Sequence, residues 1–217
     1  MSLTGERTVP GIPAENYWFR RHLAAYEFAV PYVAGCALLE VGCGEGYGTA
    51  LLASAADRVL GVDYDALTVA HARASYPQAL FARANLAALP VRSASIDVVA
   101  TLQVIEHVWN HPEFLGECLR VLRPDGLLIL TTPNRLTFSP GRDAPMNPFH
   151  THEFTAAELT HLLGRCGLRI DTVYGLHAAA RLKTLDAEHD GFVAAQLARS
   201  PERWSAKLRE DVAAIGT

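Results

Sequence analysis

Short apolar runs recur along the first four fifths of the chain, each followed by a stretch of mixed polarity. Residues 37–41, 58–62, 79–82, 96–101, 127–131 and 168–174 are such runs, rich in Val, Leu, Ile and Ala. Their length and near-continuous hydrophobicity predict strands covered on both faces. Between them lie helical patterns at 47–56, 65–75, 111–121 and 156–166. Asp65 suits an N-cap, Pro112 a first turn, and Thr155 with Glu158 three residues on a capping box. A helix from residue 15 runs toward Val30 and is expected to stop at Pro31. The alternation predicts an α/β fold, a Rossmann-like doubly wound and mostly parallel sheet. Beyond Tyr174 the pattern turns helical, at 178–185, 192–198 and 201–214. The chain thus reads as one domain over 1–217: a lid helix in 1–34, a core over 35–176 and a helical extension over 177–217.

The first strand breaks into Glu40-Val41-Gly42-Cys43-Gly44-Glu45-Gly46-Tyr47-Gly48. Glycines at a strand-to-helix turn let a ligand approach the backbone closely. The second strand ends at Asp63, where a carboxylate suits the two hydroxyls of a ribose. A dinucleotide fingerprint needs glycine at G-x-G-x-x-G; here the third place holds Tyr47 and Gly46 comes one residue early. Glu40 and Glu45 would repel a pyrophosphate, whereas an acidic turn suits a ligand carrying an ammonium group. At these residues the chain resembles the class I S-adenosylmethionine-dependent methyltransferases. The resemblance implies S-adenosylmethionine as cofactor, held by Glu40, Gly42, Gly44, Gly46, Asp63, Tyr64, Asn85, Leu86 and Gln103. Asn85 stands where relatives commonly carry an acid for the adenine amino group; its amide oxygen can still accept that bond, or it caps a turn. The family's seventh, antiparallel strand has no evident counterpart.

Composition narrows the setting. With 217 residues, half of them hydrophobic, and a net charge of −4, nothing marks a nucleic-acid binder or a membrane-surface protein. No apolar run approaches the ~20 residues of a membrane span. Cys36, Cys43, Cys118 and Cys166 are scattered without a C-x-x-C pair and read as reduced thiols, so the cytoplasm is the expected compartment. The terminal helices suit a substrate cap or a subunit interface, and a homodimer is an expectation of that pattern.

Methyl transfer from a sulfonium needs the acceptor held in line more than it needs a catalytic triad. An alcohol acceptor adds one demand, a general base or a metal ion for its oxygen. Candidates gather past the fourth strand, at Glu106 and His107, and at the end of the proline-rich loop 133–153, at His150 and His152. Gln103-Val104-Ile105-Glu106-His107 is similar to the E-x-x-E-H segment of quinone-biosynthetic O-methyltransferases. That resemblance implies a Mg2+ site at Glu106, His107 and Gln103, with Gln103 a neutral amide in place of a carboxylate. Glu106, His107 and His150 are the candidate catalytic residues, with packing and helix-start networks as the competing explanation. The loop is expected to cover the acceptor through Arg142, Asp143, Phe149 and His152. Tyr17, Trp18 and Phe19 either staple the first helix to the sheet or close over the cofactor, with Tyr17 and Arg21 contributing to its site.

Several segments together, Leu3-Thr4-Gly5-Glu6-Arg7-Thr8-Val9-Pro10, Glu15 to His22, Gln103 to Asn110 and Thr137 to His150, resemble a narrower group. This is the mycobacterial methyltransferases of polymethylated polysaccharides, of the methylmannose and methylglucose types. It implies a sugar hydroxyl as acceptor, on a short methylated mannoside or glucoside and including the reducing-end 1-hydroxyl. Two other readings stay open: a methyltransferase acting on a quinone or an amine, and a non-catalytic protein that binds the cofactor.

Overall fold

In a computed structural model of the chain, residues 8–216 are described. The part of the Leu3-to-Pro10 segment before Thr8 lies outside them. Five apolar runs form parallel strands: β1 (Ala37–Val41), β2 (Arg58–Asp63), β3 (Leu80–Arg83), β4 (Ile96–Leu102) and β5 (Leu122–Thr131). Their order is β3-β2-β1-β4-β5, with Leu39 opposite both Leu60 and Val99. Successive side chains leave opposite faces of a strand, so Leu38, Val98 and Ala100 enter one core while Leu39, Val41 and Val99 enter the other. The first face is covered by α1 (Asn16–Val33), α2 (Tyr47–Leu52) and α3 (Ala66–Ser75), through Tyr26, Ala29, Val33, Leu52, Val69 and Ala72. The second is covered by α4 (His111–Val121) and, after the short helix α5 (Arg135–Phe138), by α6 (Ala156–Arg165). Between β1 and β4 the order reverses, which opens the crevice where such sheets take ligands.

The predicted caps are present. Asp65 accepts from the Thr68 amide at 2.9 Å, and Thr155 with Glu158 makes a reciprocal capping box. Pro31 does not end α1, which continues to Val33. A proline in the last turn forfeits one backbone bond on an exposed face, while Val33 beyond it is fully buried and holds the turn in place. The Arg123-Pro124-Asp125-Gly126 turn interrupts β5 as a bulge: Ile96 pairs with Leu122, and Val98 with Leu127. Asp125 sits there in the left-handed region, at φ +61°.

The expected strand at 168–174 does not form. The chain from Leu168 to Ala179 has no regular structure, and Val173, Tyr174 and Leu176 are exposed. Its apolar residues mimic a strand, but the segment bridges two packed units instead of pairing with β5. No strand follows β5 among the described residues. The C-terminal helices α7 (Ala180–Glu188), α8 (Phe192–Leu197) and α9 (Ala206–Ala213) build a third apolar cluster from Leu185, Phe192, Trp204, Leu208, Val212 and Ile215. It packs on Ala14, just before α1, and on Tyr17 in the first turn of that helix. Asn16 fastens the two ends of the chain, its side-chain amide donating to the carbonyls of Val212, Ala213 and Ile215 at 3.2, 3.0 and 2.8 Å.

Candidate active site

The turn after β1 carries Gly42, Gly44 and Gly46 at φ +82°, +50° and +87°. A side chain at Gly42 would meet Val104 at 2.4 Å, and one at Gly46 would meet Ala72 at 2.7 Å. At Gly44 it would meet nothing within 4 Å, so here the turn borders open space. The Gly42 and Cys43 amides both donate to the Val62 carbonyl, tying the turn to the tip of β2. One residue on, Asp63 accepts from the Gly44 amide through Oδ2 and from the Asp65 amide through Oδ1, each at 3.0 Å. Its carboxylate is therefore fixed in direction at the crevice wall.

The two acids flanking the turn sit inside the protein. Glu40 is fully buried, receiving the Tyr26 hydroxyl at 2.5 Å and the Thr49 hydroxyl on its other oxygen. Burial raises its pKa to about 7, against the pull of those two donors. Glu45 is buried with Oε2 at 3.3 Å from His71 Nε2. Any attraction these acids exert on a cationic ligand is through space, and is weakened by proton uptake at Glu40.

A cavity lies past the tips of β4 and β5. Gln103 leaves β4 at φ +59°, and a single 3-10 turn, Ile105–His107, presents Glu106 and His107 to it. The loop before α6 supplies Asn147 and His150. Three bonds to one carbonyl lock the two segments together: Glu106 O accepts from the Thr151 amide at 2.7 Å, the His152 amide at 3.2 Å and the Thr151 hydroxyl at 3.0 Å. Glu106, His107 and His150 each offer a ligand atom within 4.8 Å of the other two. The His107 and His150 rings meet edge to face at 5.0 Å. Burial lifts the Glu106 carboxyl to about pKa 7, although Thr132 donates to it at 2.8 Å and Arg21 lies near. Burial lowers His150 while the bond to Glu153 opposes the shift. In the same cavity burial, then the charge of Arg21, drops His22 to about 3 and keeps it neutral.

The opposite wall is aromatic. The Trp18 and Phe138 rings lie 6.0 Å apart at a 59° tilt, with the Arg21 guanidinium 5.9 Å from the first ring and 5.4 Å from the second. Gln196, Leu197, Pro201 and Trp204 of the C-terminal unit close the rim.

Residues 39–130 match the family model described as a methyltransferase domain. Over its whole length the chain is 52% identical to a probable S-adenosylmethionine-dependent methyltransferase of Mycolicibacterium smegmatis, of which it covers 86%. It belongs to the S-adenosylmethionine-dependent methyltransferases. A protein of the same description from Mycobacterium tuberculosis is 50% identical and is covered over 80% of its length. Among solved structures, a methyltransferase from Mesorhizobium loti superposes with a TM-score of 0.64 at 21% identity, over 77% of this chain and 90% of that one. The [4+2]-cyclase SpnF also gives 0.64, at 22% identity, over 90% of this chain and 72% of its own. The fold alone therefore does not choose the reaction.

For this methyltransferase the methyl donor is S-adenosylmethionine, and the crevice fits it at the nucleoside end. A side chain at Gly44 would project into the open space, and the Asp63 carboxylate, of the kind that suits ribose hydroxyls, stands beside it. Other expected cofactor residues take varied places. Asn85 caps its own turn, its amide oxygen accepting from the Ala87 amide at 3.0 Å, and Leu86 packs against the core. Tyr64 is exposed beneath the Arg83 guanidinium. Tyr17 packs edge to face on Phe192, inside the C-terminal cluster, and Arg21 faces the cavity past β4 and β5.

Gln103 lines that cavity too, its side-chain nitrogen donating to the Thr131 hydroxyl at 3.0 Å. Of the four residues expected on the acceptor, none has its side chain among the lining. Arg142 and Asp143 are exposed, Phe149 contributes its carbonyl to His107, and the His152 ring lies on Phe154 at 4.4 Å. Asn147, Glu153, Gln196 and Trp204 were not legible as site residues. Glu153 offered one signal, its spacing three residues after His150. Trp204 and Gln196 reach the cavity only through packing of distant helices.

Proposed function

We propose that this methyltransferase transfers a methyl group to a sugar hydroxyl, on a short methylated mannoside or glucoside, with the reducing-end 1-hydroxyl among the positions it serves. The observation that carries the reading is the make-up of the cavity. Trp18, Phe138 and Trp204 offer flat apolar surface, Arg21, Asn147 and Gln196 offer hydrogen bonds, and an acid with two imidazoles lies among them. Sugars present apolar C–H faces together with a rim of hydroxyls, which calls for that mixture. A quinone ring calls for a more apolar lining.

When bound, S-adenosylmethionine supplies a methyl carbon already activated by its sulfonium. The protein's remaining work is to hold the acceptor oxygen in line and to receive the hydroxyl proton. Positioning of this kind is worth up to ~7–11 kcal/mol of the barrier. The aromatic wall fixes the plane of the sugar, and Arg21 with Asn147 fixes its rotation. The proton leaves toward the Glu106–His107–His150 group, where His107 Nδ1 faces the Phe149 carbonyl and His150 Nδ1 faces Glu153. The reading carries with it a single methyltransferase domain with the C-terminal helices as its acceptor cap, a cytoplasmic setting, no nucleic-acid or membrane partner, and a homodimer. Supporting the setting, no helix among the described residues is long and apolar enough to cross a membrane.

The test is methyl incorporation from labelled cofactor into a panel of short mannosides and glucosides, run beside a quinol and an amine. Label should enter the glycosides, and His150→Ala should cut the rate by roughly a hundredfold or more while leaving cofactor affinity in place. Label confined to the quinol or the amine, or cofactor binding without turnover on any acceptor, overturns the proposal.

A further inference from the structure

We infer that His22 is a specificity-determining residue of the acceptor site: hydroxyls running from Tyr47 through Thr8 hold its ring so that Nε2–H donates to an oxygen of the acceptor molecule. The inference rests on the acceptor reading above for the identity of that molecule, a methylated glycoside, whose ring and methoxy oxygens can only accept.

His22 stands on α1, and its ring lines the cavity together with Arg21, Glu106 and His107. On one side, Nδ1 meets two hydroxyls, Thr8 Oγ1 at 3.3 Å and that of Tyr47 at 3.5 Å, which are themselves 2.9 Å apart. The direction of these bonds follows from counting protons. Tyr47 meets no other acceptor among the described residues, and its ring packs against Phe19 and Tyr26. Were Nδ1 the donor, Thr8 would have to donate to Tyr47, and the phenolic proton would be left without a partner, which is costly inside a protein. With Tyr47 donating to Thr8 and Thr8 donating to Nδ1, every proton has an acceptor. The nitrogen that accepts lacks the proton, so Nε2 bears it.

Nε2 makes no hydrogen bond among the described residues, so the cavity is where its proton can be used. Burial, then the charges of Arg21 and His107, hold the ring at a pKa of about 3. His22 is therefore a poor base and a constant donor, a different part from that of His107 and His150. Arg21 beside it also offers only N–H groups. A protonated amine would set N–H against N–H at this place, whereas an ether oxygen completes the bond. Tyr47 is the first residue of α2, directly after Gly46, so the relay starts at the glycine turn and ends in the cavity.

The test uses the full chain as wild type, His22→Gln and His22→Leu. Glutamine carries an amide N–H near the place of Nε2, and leucine fills similar space with no donor. With labelled cofactor and a mono-O-methylated mannose, His22→Leu should raise acceptor KM roughly 10- to 100-fold with kcat changed far less. His22→Gln should recover most of that loss, and calorimetric cofactor affinity should stay level in both. An unmoved KM in His22→Leu, equal losses in the two variants, or weakened cofactor binding in place of the KM effect overturns the inference. The wild type alone carries a second readout where a variant misfolds. Nitrogen-15 NMR of histidine-labelled protein should show the proton on Nε2 in the ring that stays neutral to the lowest pH the fold tolerates; a proton on Nδ1 there overturns it. Glycoside methylation with KM untouched by His22→Leu removes His22 and leaves the sugar reading standing. Label confined to a quinol or an amine removes the sugar reading, and the same variants then read KM for the molecule that is methylated.

Discussion

Glu40 provides a measurement in which charge, burial and pH can be separated. It is fully buried between Tyr26 and Thr49, and its pKa stands at about 7 against an ordinary value of 4.5. A carboxyl whose folded pKa exceeds its unfolded one keeps its proton in the native chain at pH values where the unfolded chain has lost it. Stability from this group is therefore full below 4.5, falls as pH rises from there to about 7, and is level above. At about 1.36 kcal/mol per pH unit, two and a half units amount to about 3 kcal/mol. Glu40→Gln has the same shape and cannot ionise. Its amide oxygen accepts one hydroxyl and its amide nitrogen donates to the other, since both hydroxyls can reverse. Urea unfolding of both proteins without cofactor, from pH 4.5 to about 8, reads the difference directly. Any cost of the altered hydrogen bonds is constant with pH, and the other titrating groups cancel between the two proteins. The variant should gain on the wild type by about 3 kcal/mol across the window. A difference that stays flat with pH refutes the account of Glu40 as a buried acid with a raised pKa.

Two glycine substitutions in the first turn should part company. Gly42→Ala drives a methyl into Val104 at φ +82° and should cost more than ~2 kcal/mol in chemical denaturation. Gly44→Ala meets no neighbour, so it should cost only about 1 kcal/mol yet weaken cofactor binding; calorimetry finding binding intact would remove the crevice from that place. Asp63→Ala should lower cofactor affinity by roughly 10- to 100-fold, the worth of hydrogen bonds to a charged acceptor, and unchanged calorimetric binding would deny it the ribose. Asn16→Ala strands three carbonyls of the C-terminal unit, so unfolding should become easier by about 1–3 kcal/mol and acceptor KM should rise with cofactor affinity unaffected. An unchanged KM would detach the C-terminal unit from acceptor binding.

The sheet and its cofactor edge were legible because each rests on local pattern. The runs at 37–41 and 58–62 are buried on both sides of the sheet, and the glycine turn needs left-handed backbone that few other residues adopt. Pro31 misled because a breaker in the last turn of a helix costs little where burial of the next residues holds it. Residues 168–174 misled for the opposite reason, as hydrophobicity without a pairing edge does not make a strand. The cavity past β4 and β5 was legible only in one half, at Glu106, His107 and His150. Its other half comes from Trp18, Gln196 and Trp204, brought together by contacts spanning nearly the whole chain, and no spacing in the sequence encodes that meeting.

Because Asn16 grips the end of the last helix, residues 196 to 199 positions apart in sequence meet as one bonded wall. Under the proposed acceptor reading, substitutions on α9 can reshape that wall, whereas α1 also reaches the glycine turn, through Tyr26 on Glu40 and Phe19 on Tyr47.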